Sequence, residues 1–365
     1  MRGLYVHIPF CSGKCSYCGF VSFAGKTPLH AGYLTALERE MALFSGMDAD
    51  TLYIGGGTPS EFSPELIGAL LNHITRGFKP IGDFAESTFE ANPESITRSK
   101  MAVLKLHGIN RVSLGLQTFS RRLLEKIGRR HTEEQFLDAY IDLRSAGFDN
   151  INIDVLAAVP DQTADDFAET LSRVCELKPE HISVYGLAVE EDTALAAQGY
   201  AEDDDRCLLM LDMARERLCR AGYNHYEISN FAKPGKESLH NINYWDNGEY
   251  IGLGCAATSY IGGVRKTNTP SLELYCGSLL GSRDLTLSSC ERLLGKEKTG
   301  EDLMLGLRKL SGVPITAEMS RHFGDELKKL EARGLLSLSG GKVRLTDEAV
   351  YISNEVFRSF VPPFE

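Results

Sequence analysis

Six short runs rich in β-branched and aromatic residues alternate with amphipathic stretches through the first half of the chain. That alternation limits the fold more than any other feature. The runs are LYVHIP (4–9), TLYIGG (51–56), ESTFEAN (86–92), RVSLGLQ (111–117), NINIDVL (150–156) and HISVYGL (181–187), each of strand length and composition. Between them HAGYLTALEREMALF, PELIGALLNHIT and EEQFLDAYIDLRSAG read as helices, the last closing on Gly147. Strand–helix units in succession imply a parallel sheet with right-handed crossovers, open or closed into a full or partial barrel. Ligands of such sheets gather at the carboxyl ends of the strands. The unusual residues fall there: three cysteines after the first run, GGGTPS (55–60) after the second, Glu90 in the third, Gln117 ending the fourth and Asp154 in the fifth.

A chain of 365 residues accommodates one large α/β core plus an appendage. We read 1–190 as the core. Residues 191–295 read as an edge strand with long loops capping the rim, dense in aromatics, Asn and Gly over 224–260. Residues 296–365 read as a small winged-helix-like unit. Its helices lie around EDLMLGLRKL, TAEMSRHFG and DELKKLEARG, and its hairpin turns at Gly340–Gly341. That unit carries 11 Lys and Arg against 11 Asp and Glu, so a packing or partner-docking role is expected before a nucleic-acid one. The whole chain has a formal charge of −11, which disfavours a general affinity for phosphate backbones. Neither a signal peptide nor an apolar run of membrane-spanning length is visible, and a cytoplasmic location is expected.

The chain has nine cysteines, an odd number; six are scattered singly, as buried thiols are, and Cys11, Cys15 and Cys18 lie together. A structural zinc site needs four protein ligands, and His7 or His30 is the candidate for the fourth. The stronger reading is an iron–sulfur cubane held at three corners by thiolates, its fourth iron open to an exogenous chelator. The amine and carboxylate of S-adenosylmethionine (SAM) suit that iron. The cluster can then pass an electron to the sulfonium and release a 5′-deoxyadenosyl radical.

YVHIPFCSGKCSYCGF, YIGGGTPS, FEANPESIT, RVSLGLQTF with IGRRHT, NIDVLAAVPDQT, ISVYGL, HNINYW, GLGCAATSY and LMLGLR occur in this order along almost the whole chain. In them the sequence resembles the radical SAM superfamily, and within it the branch of oxygen-independent coproporphyrinogen III oxidases and HemW-type heme chaperones. The resemblance implies a partial (βα)6 TIM-like barrel, with a [4Fe-4S] cluster on Cys11, Cys15 and Cys18. It implies SAM bound by Glu90, Gln117, Arg129 and Asp154, with Tyr5 and Tyr17 flanking the cofactor and Ala188 passing the adenine. Gly56, Gly57 and Thr58 would approach the methionyl amine, because a residue without Cβ lets backbone carbonyls come close.

Two activities remain open within the branch. The oxidases carry a further cysteine two residues after the third, where this chain has Phe20, and a longer leader where this chain has ten residues before Cys11. HNINYW (240–245) fits the H-N-x-x-Y-W pattern of the chaperone side, which the resemblance associates with heme. His240 is then the candidate axial donor, with Asn241 beside it and Tyr244 and Trp245 to stack on a porphyrin face; the plain alternative is a loop histidine tied to a carbonyl. The expectation is a chaperone that binds heme or a related tetrapyrrole and hands it to heme-acceptor proteins, with the oxidase as the second reading.

Overall fold

The computed structural model describes residues 1–281 and 284–364. Six parallel strands form its centre: β1 (Arg2–Ile8), β2 (Thr51–Gly56), β3 (Glu86–Ala91), β4 (Arg111–Gln117), β5 (Ile151–Ala157) and β6 (His181–Gly186). Their bounds lie within two residues of the sequence reading. Alternation explains the layering. Leu4, Val6 and Ile8 of β1, Leu52 and Ile54 of β2, Val112 and Leu114 of β4, and Ile153 and Val155 of β5 are buried in one apolar core with the helices. That outer layer includes α1 (His30–Leu43), α2 (Pro64–Gly77), α3 (Arg98–Leu106), α4 (Glu133–Ser145) and α5 (Ala164–Leu177). Side-chain caps start four of these: Ser63 for α2, Thr97 for α3, and capping boxes Thr132–Gln135 and Thr163–Asp166 for α4 and α5. The intervening strand positions, Tyr5, Tyr53, Glu90, Ser113, Asp154 and Ser183 among them, face the interior.

The region after residue 190 departs from the sequence reading of one edge strand and rim loops. Helix α6 (Asp204–Arg220) returns the chain to β7 (Asn224–Glu227) and β8 (Asn230–Ala232), which pair antiparallel beside β6. Helix α7 (Leu239–Trp245) then crosses the amino ends of the strands, and β9 (Glu249–Leu253) pairs parallel to β1 on the far edge. Strands β10 (Thr258–Ile261), β11 (Val264–Asn268) and β12 (Leu287–Glu291) continue that edge antiparallel, and α8 (Leu272–Leu280) packs near α1. Among the described residues the sheet therefore has twelve strands, in the order β12-β11-β10-β9-β1-β2-β3-β4-β5-β6-β8-β7. Only long-range pairing could reveal this, since β9 and β1 are some 240 residues apart.

The last segment builds a second apolar cluster, from Leu303 to Phe360. It contains α9 (Gly295–Gly306), α10 (Ala317–Ala332) and the three-stranded sheet β13 (Val313–Pro314), β14 (Leu336–Ser339) and β15 (Lys342–Leu345), in the order β13-β15-β14. Gly340 and Gly341 both take positive φ, 59° and 73°, as a two-residue hairpin turn of this hand requires. The sequence reading split α10 at Gly324; it runs through, because the apolar stripe Met319, Phe323, Leu327 and Leu330 stays buried on both sides of the glycine. No helix among the described residues is long and apolar enough to cross a membrane.

Candidate functional site

The loop after β1 carries the three cysteines, all half-exposed and free of disulfides. Two hydrogen-bond donors reach their sulfurs. The Thr58 hydroxyl lies 3.3 Å from the Cys11 Sγ, and Arg129 Nη1 lies 3.8 Å from the Cys15 Sγ. Burial raises the Cys11 and Cys18 thiols above their ordinary value, so a cationic centre beside them would be needed to make them thiolates near neutral pH. Gly57 matters here because a Cβ on it would meet the Phe10 carbonyl oxygen at 2.8 Å and the Cys11 Sγ at 3.1 Å.

The zinc alternative lacks its fourth ligand. His7 is tied at both nitrogens, Nδ1 to the Tyr5 hydroxyl at 2.9 Å and Nε2 to the Val21 carbonyl at 3.0 Å. His30 is 4% exposed and packs 4.3 Å from the Phe10 ring, centroid to centroid. Among the described residues no three ligating groups close on a single ion. A cubane asks for no such convergence, since its thiolates attach at separate corners.

Behind the cysteines lies a polar layer. Glu90 accepts from the Tyr53 hydroxyl at 2.6 Å and from the Gly56 N–H at 3.2 Å; burial pushes its carboxyl up to about 7 against those two donors. Asp154, also raised by burial, accepts from Asn152 at 2.8 Å and from the Ser113 hydroxyl at 3.2 Å. Arg129 donates to the Asn92 side-chain oxygen at 2.9 Å and to the Gly115 carbonyl at 2.8 Å, and its Nε is buried without a partner. Its guanidinium passes so close to Gly115 that any side chain there would collide with it. Gln117 ends β4 in the left-handed region, φ 69°, at an irregularity in the β4–β5 register. Gly56 has φ 116°, and a Cβ on it would meet the His7 ring at 2.6 Å.

Of the residues expected from the sequence, Tyr5, Cys11, Cys15, Tyr17, Cys18, Gly56, Gly57, Thr58, Glu90, Gln117, Arg129 and Asp154 share this end of the sheet or the layer beneath it. Tyr17 packs beside the small apolar cluster of Leu123, Ile127 and Leu187, and Ala188 is exposed just past β6. Asn92, Tyr53, Ser113, Asn152 and Arg111 went unselected. Strand parity was the signal: each except Asn92 shares the inward face with Glu90 or Asp154, and Asn92, donating to Thr58 Oγ1 at 3.1 Å, immediately follows β3.

The four heme candidates do not join the rim. His240, 1% exposed, lies at the amino ends of the strands, where its Nδ1 is 2.9 Å from the Thr51 hydroxyl and its Nε2 3.1 Å from the Tyr244 hydroxyl. Burial pushes it down to about 3 and keeps it neutral. It sits in helix α7 rather than a loop, and as placed it has no nitrogen free for an iron. Glu86 seals the same end by accepting from Ser238 Oγ at 3.1 Å and from the N–H groups of Leu239 and His240 at 2.9 and 3.2 Å. Asn241 is half-buried on the same helix. One face of Trp245 is covered by the Arg308 guanidinium, 4.3 Å from the ring centroid, so the expected porphyrin stack on that face gives way to a cation–π pair.

Residues 5–174 match the model of the Radical SAM superfamily, and residues 294–352 that of the HemN C-terminal domain. The heme chaperone HemW of Bacillus subtilis (strain 168) is 36% identical over 99% of this chain and 99% of its own length. The chain belongs to the HemW family. The HemW of Lactococcus lactis (strain IL1403) is likewise 36% identical, over 98% of this chain and 96% of its own. HemW of Escherichia coli (strain K12) is 37% identical over 70% of this chain and 68% of its own. Among solved structures, coproporphyrinogen III oxidase (HemN) from Escherichia coli, a radical SAM enzyme, superposes with a TM-score of 0.85 at 25% identity, over 99% of this chain and 90% of that one. For a HemW-family chain, the radical SAM core implies a [4Fe-4S] cluster and SAM.

Proposed function

We propose that this protein is a heme chaperone. It binds heme and transfers it to acceptor proteins, with a cluster on Cys11, Cys15 and Cys18 and SAM against Gly56, Gly57, Thr58, Glu90, Gln117, Arg129 and Asp154. We keep 1–190, 191–295 and 296–365 as its functional units. The observation that carries the chaperone reading over the oxidase reading is Phe20. It occupies the place of the oxidases' further cysteine and stands 70% exposed on the cysteine loop, with no thiol to offer. Full-length identity favours the same side, 36% to a HemW against 25% to the oxidase.

The chemistry of the residues follows from their charges. The buried Glu90 and Asp154 carboxylates suit an ammonium or ribose hydroxyls, and the Arg129 fork suits a carboxylate. Thr58 and Arg129, donating to sulfur, stabilise negative charge on the thiolates. A cluster bound there supplies an electron-transfer centre with one iron open to SAM. The test pairs heme titration of the purified protein, with and without its cluster, with a chromatographic assay of coproporphyrinogen III under reducing, SAM-supplied conditions. Saturable heme binding without porphyrinogen turnover is expected; conversion of coproporphyrinogen to protoporphyrinogen would replace the chaperone with the oxidase.

A further inference from the structure

Two motifs from distant parts of the chain, HNINYW and LMLGLR, meet at one pair of side chains. In LMLGLR, Leu303 and Leu307 are fully buried in the C-terminal cluster. Gly306 has no room for a side chain because Val313 of β13 presses against it. Arg308, which follows Leu307, emerges from the other side of that packing and lies over Trp245, the last residue of α7. The joint is clamped around them. Lys309 pairs with Asp246, Asn247 donates to Glu301 and Asp302 at 2.8 Å each, and the backbone of Glu227 bridges to Lys309.

Packing accounts for the position of Arg308 but leaves its Nε–H without an acceptor. Its Nε is buried with no partner, and no carboxylate among the described residues forms an ion pair with it. The groups around it are unsatisfied too. Glu227, fully buried, uses Oε1 to accept from the Ser229 N–H at 2.9 Å, while Oε2 has no partner; the side-chain oxygen of Asn230, 3% exposed, has none either. Burial lowers Arg308 and raises Glu227, each opposed by the charge of the other, and Tyr185 is the next group acting on Arg308. Tyr185 shares the inward face of β6 with Ser183 and retains 41% exposure, so the space beside these groups is open. An Nε–H removed from water without a hydrogen bond is costly. Stacking on an indole fixes its plane while leaving its N–H edge free, the arrangement that receives a carboxylate through two parallel bonds.

We propose that Arg308, held over the ring of Trp245, is the docking point for a carboxylate of the ligand carried in the sheet's interior: on the heme-cargo reading, on which this rests, a propionate. Trp245 then serves heme as the platform for the arginine rather than as a stacking face.

The experiment compares hemin with its dimethyl ester, which keeps the ring and the iron and loses both carboxylates, in one detergent-containing buffer. Wild-type protein is expected to prefer the free acid by roughly tenfold or more. Arg308→Met should bring that preference to about one while binding of the ester stays within about twofold, and Trp245→Leu should lower the preference in the same direction. A wild type that binds both forms equally would overturn the carboxylate contact and leave the cargo reading standing. Equal loss of both forms in Arg308→Met would make the arginine structural and overturn it too. Failure of the wild type to bind either form would remove the cargo reading, and this subsite with it.

Discussion

The two ends of the central sheet both carry polar and ionisable residues and do opposite things. At the carboxyl ends, cysteines, an arginine and carboxylates are half-open: the three thiols are partly exposed, Arg129 keeps a free Nε, and Gln117 holds a left-handed conformation. At the amino ends, histidines, tyrosines and a glutamate are closed. His240 and Thr51 satisfy each other, Glu86 caps α7, and His181 spans from the Asn152 oxygen at 2.6 Å to the Tyr226 hydroxyl at 2.8 Å. A histidine in a motif is therefore no better a ligand candidate than its hydrogen bonds allow. Where every donor and acceptor is spent within the protein, the group builds structure; where some are left over, it awaits a partner.

The sharpest way to break this contrast is to remove a thiolate. Cys11→Ser, Cys15→Ser or Cys18→Ser should each abolish the cluster after anaerobic reconstitution, seen as loss of iron, labile sulfide and cluster absorbance. Cys219→Ser and Cys290→Ser, both exposed elsewhere, should leave it intact. Dependence on either of those would undo the three-thiolate reading.

At the amino end the effect should be one of stability. His240→Ala empties a sealed site and strands the Thr51 and Tyr244 hydroxyls, costing about 2–4 kcal/mol in chemical denaturation. Cluster content and the Soret band of added heme should not change. A shifted Soret band in a folded variant would mean that α7 opens to deliver an axial nitrogen, and the contrast between the ends would fail.

A smaller effect separates the ends by pH. In the proposed SAM site Glu90 would bind cationic or hydroxyl groups as the carboxylate, and burial holds its carboxyl up to about 7. Because the proton competes with the ligand, SAM affinity should fall as pH drops below about 7, approaching roughly tenfold per unit. Glu90→Gln should flatten that profile, as read by equilibrium dialysis; an unaltered slope would move the titration to another group. The smallest effect belongs to Phe20. Replacing so exposed a side chain by Ala should change stability by less than about 0.5 kcal/mol and leave the cluster in place, and loss of iron would show that the ring shields it.

What was legible follows from the range of the interactions involved. The six central strands, the cysteine loop, the hairpin at Gly340–Gly341 and the end of α4 at Gly147 depend on residues close in sequence, so periodicity and spacing revealed them. The rim residues were legible as a set because parallel strands deliver their carboxyl ends to one side, which makes position along a strand a coordinate in space. HNINYW was misplaced for the converse reason: nothing within those six residues says that Glu86, some 150 positions earlier, will cap their helix, or that Thr51 will occupy the imidazole.

By itself the sequence determined the chemistry on offer: three thiolates at cluster spacing, glycines where the backbone must approach, carboxylates on the inward parity of β3 and β5, and no cysteine at position 20. The tertiary structure alone decided which polar atoms were left over. It brought β9 to β1, turned His240 into a sealed floor, and set Arg308 on Trp245 with its Nε–H unpaired. The reason is that composition and spacing count donors and acceptors, whereas only packing in three dimensions decides which of them find each other and which remain for a ligand.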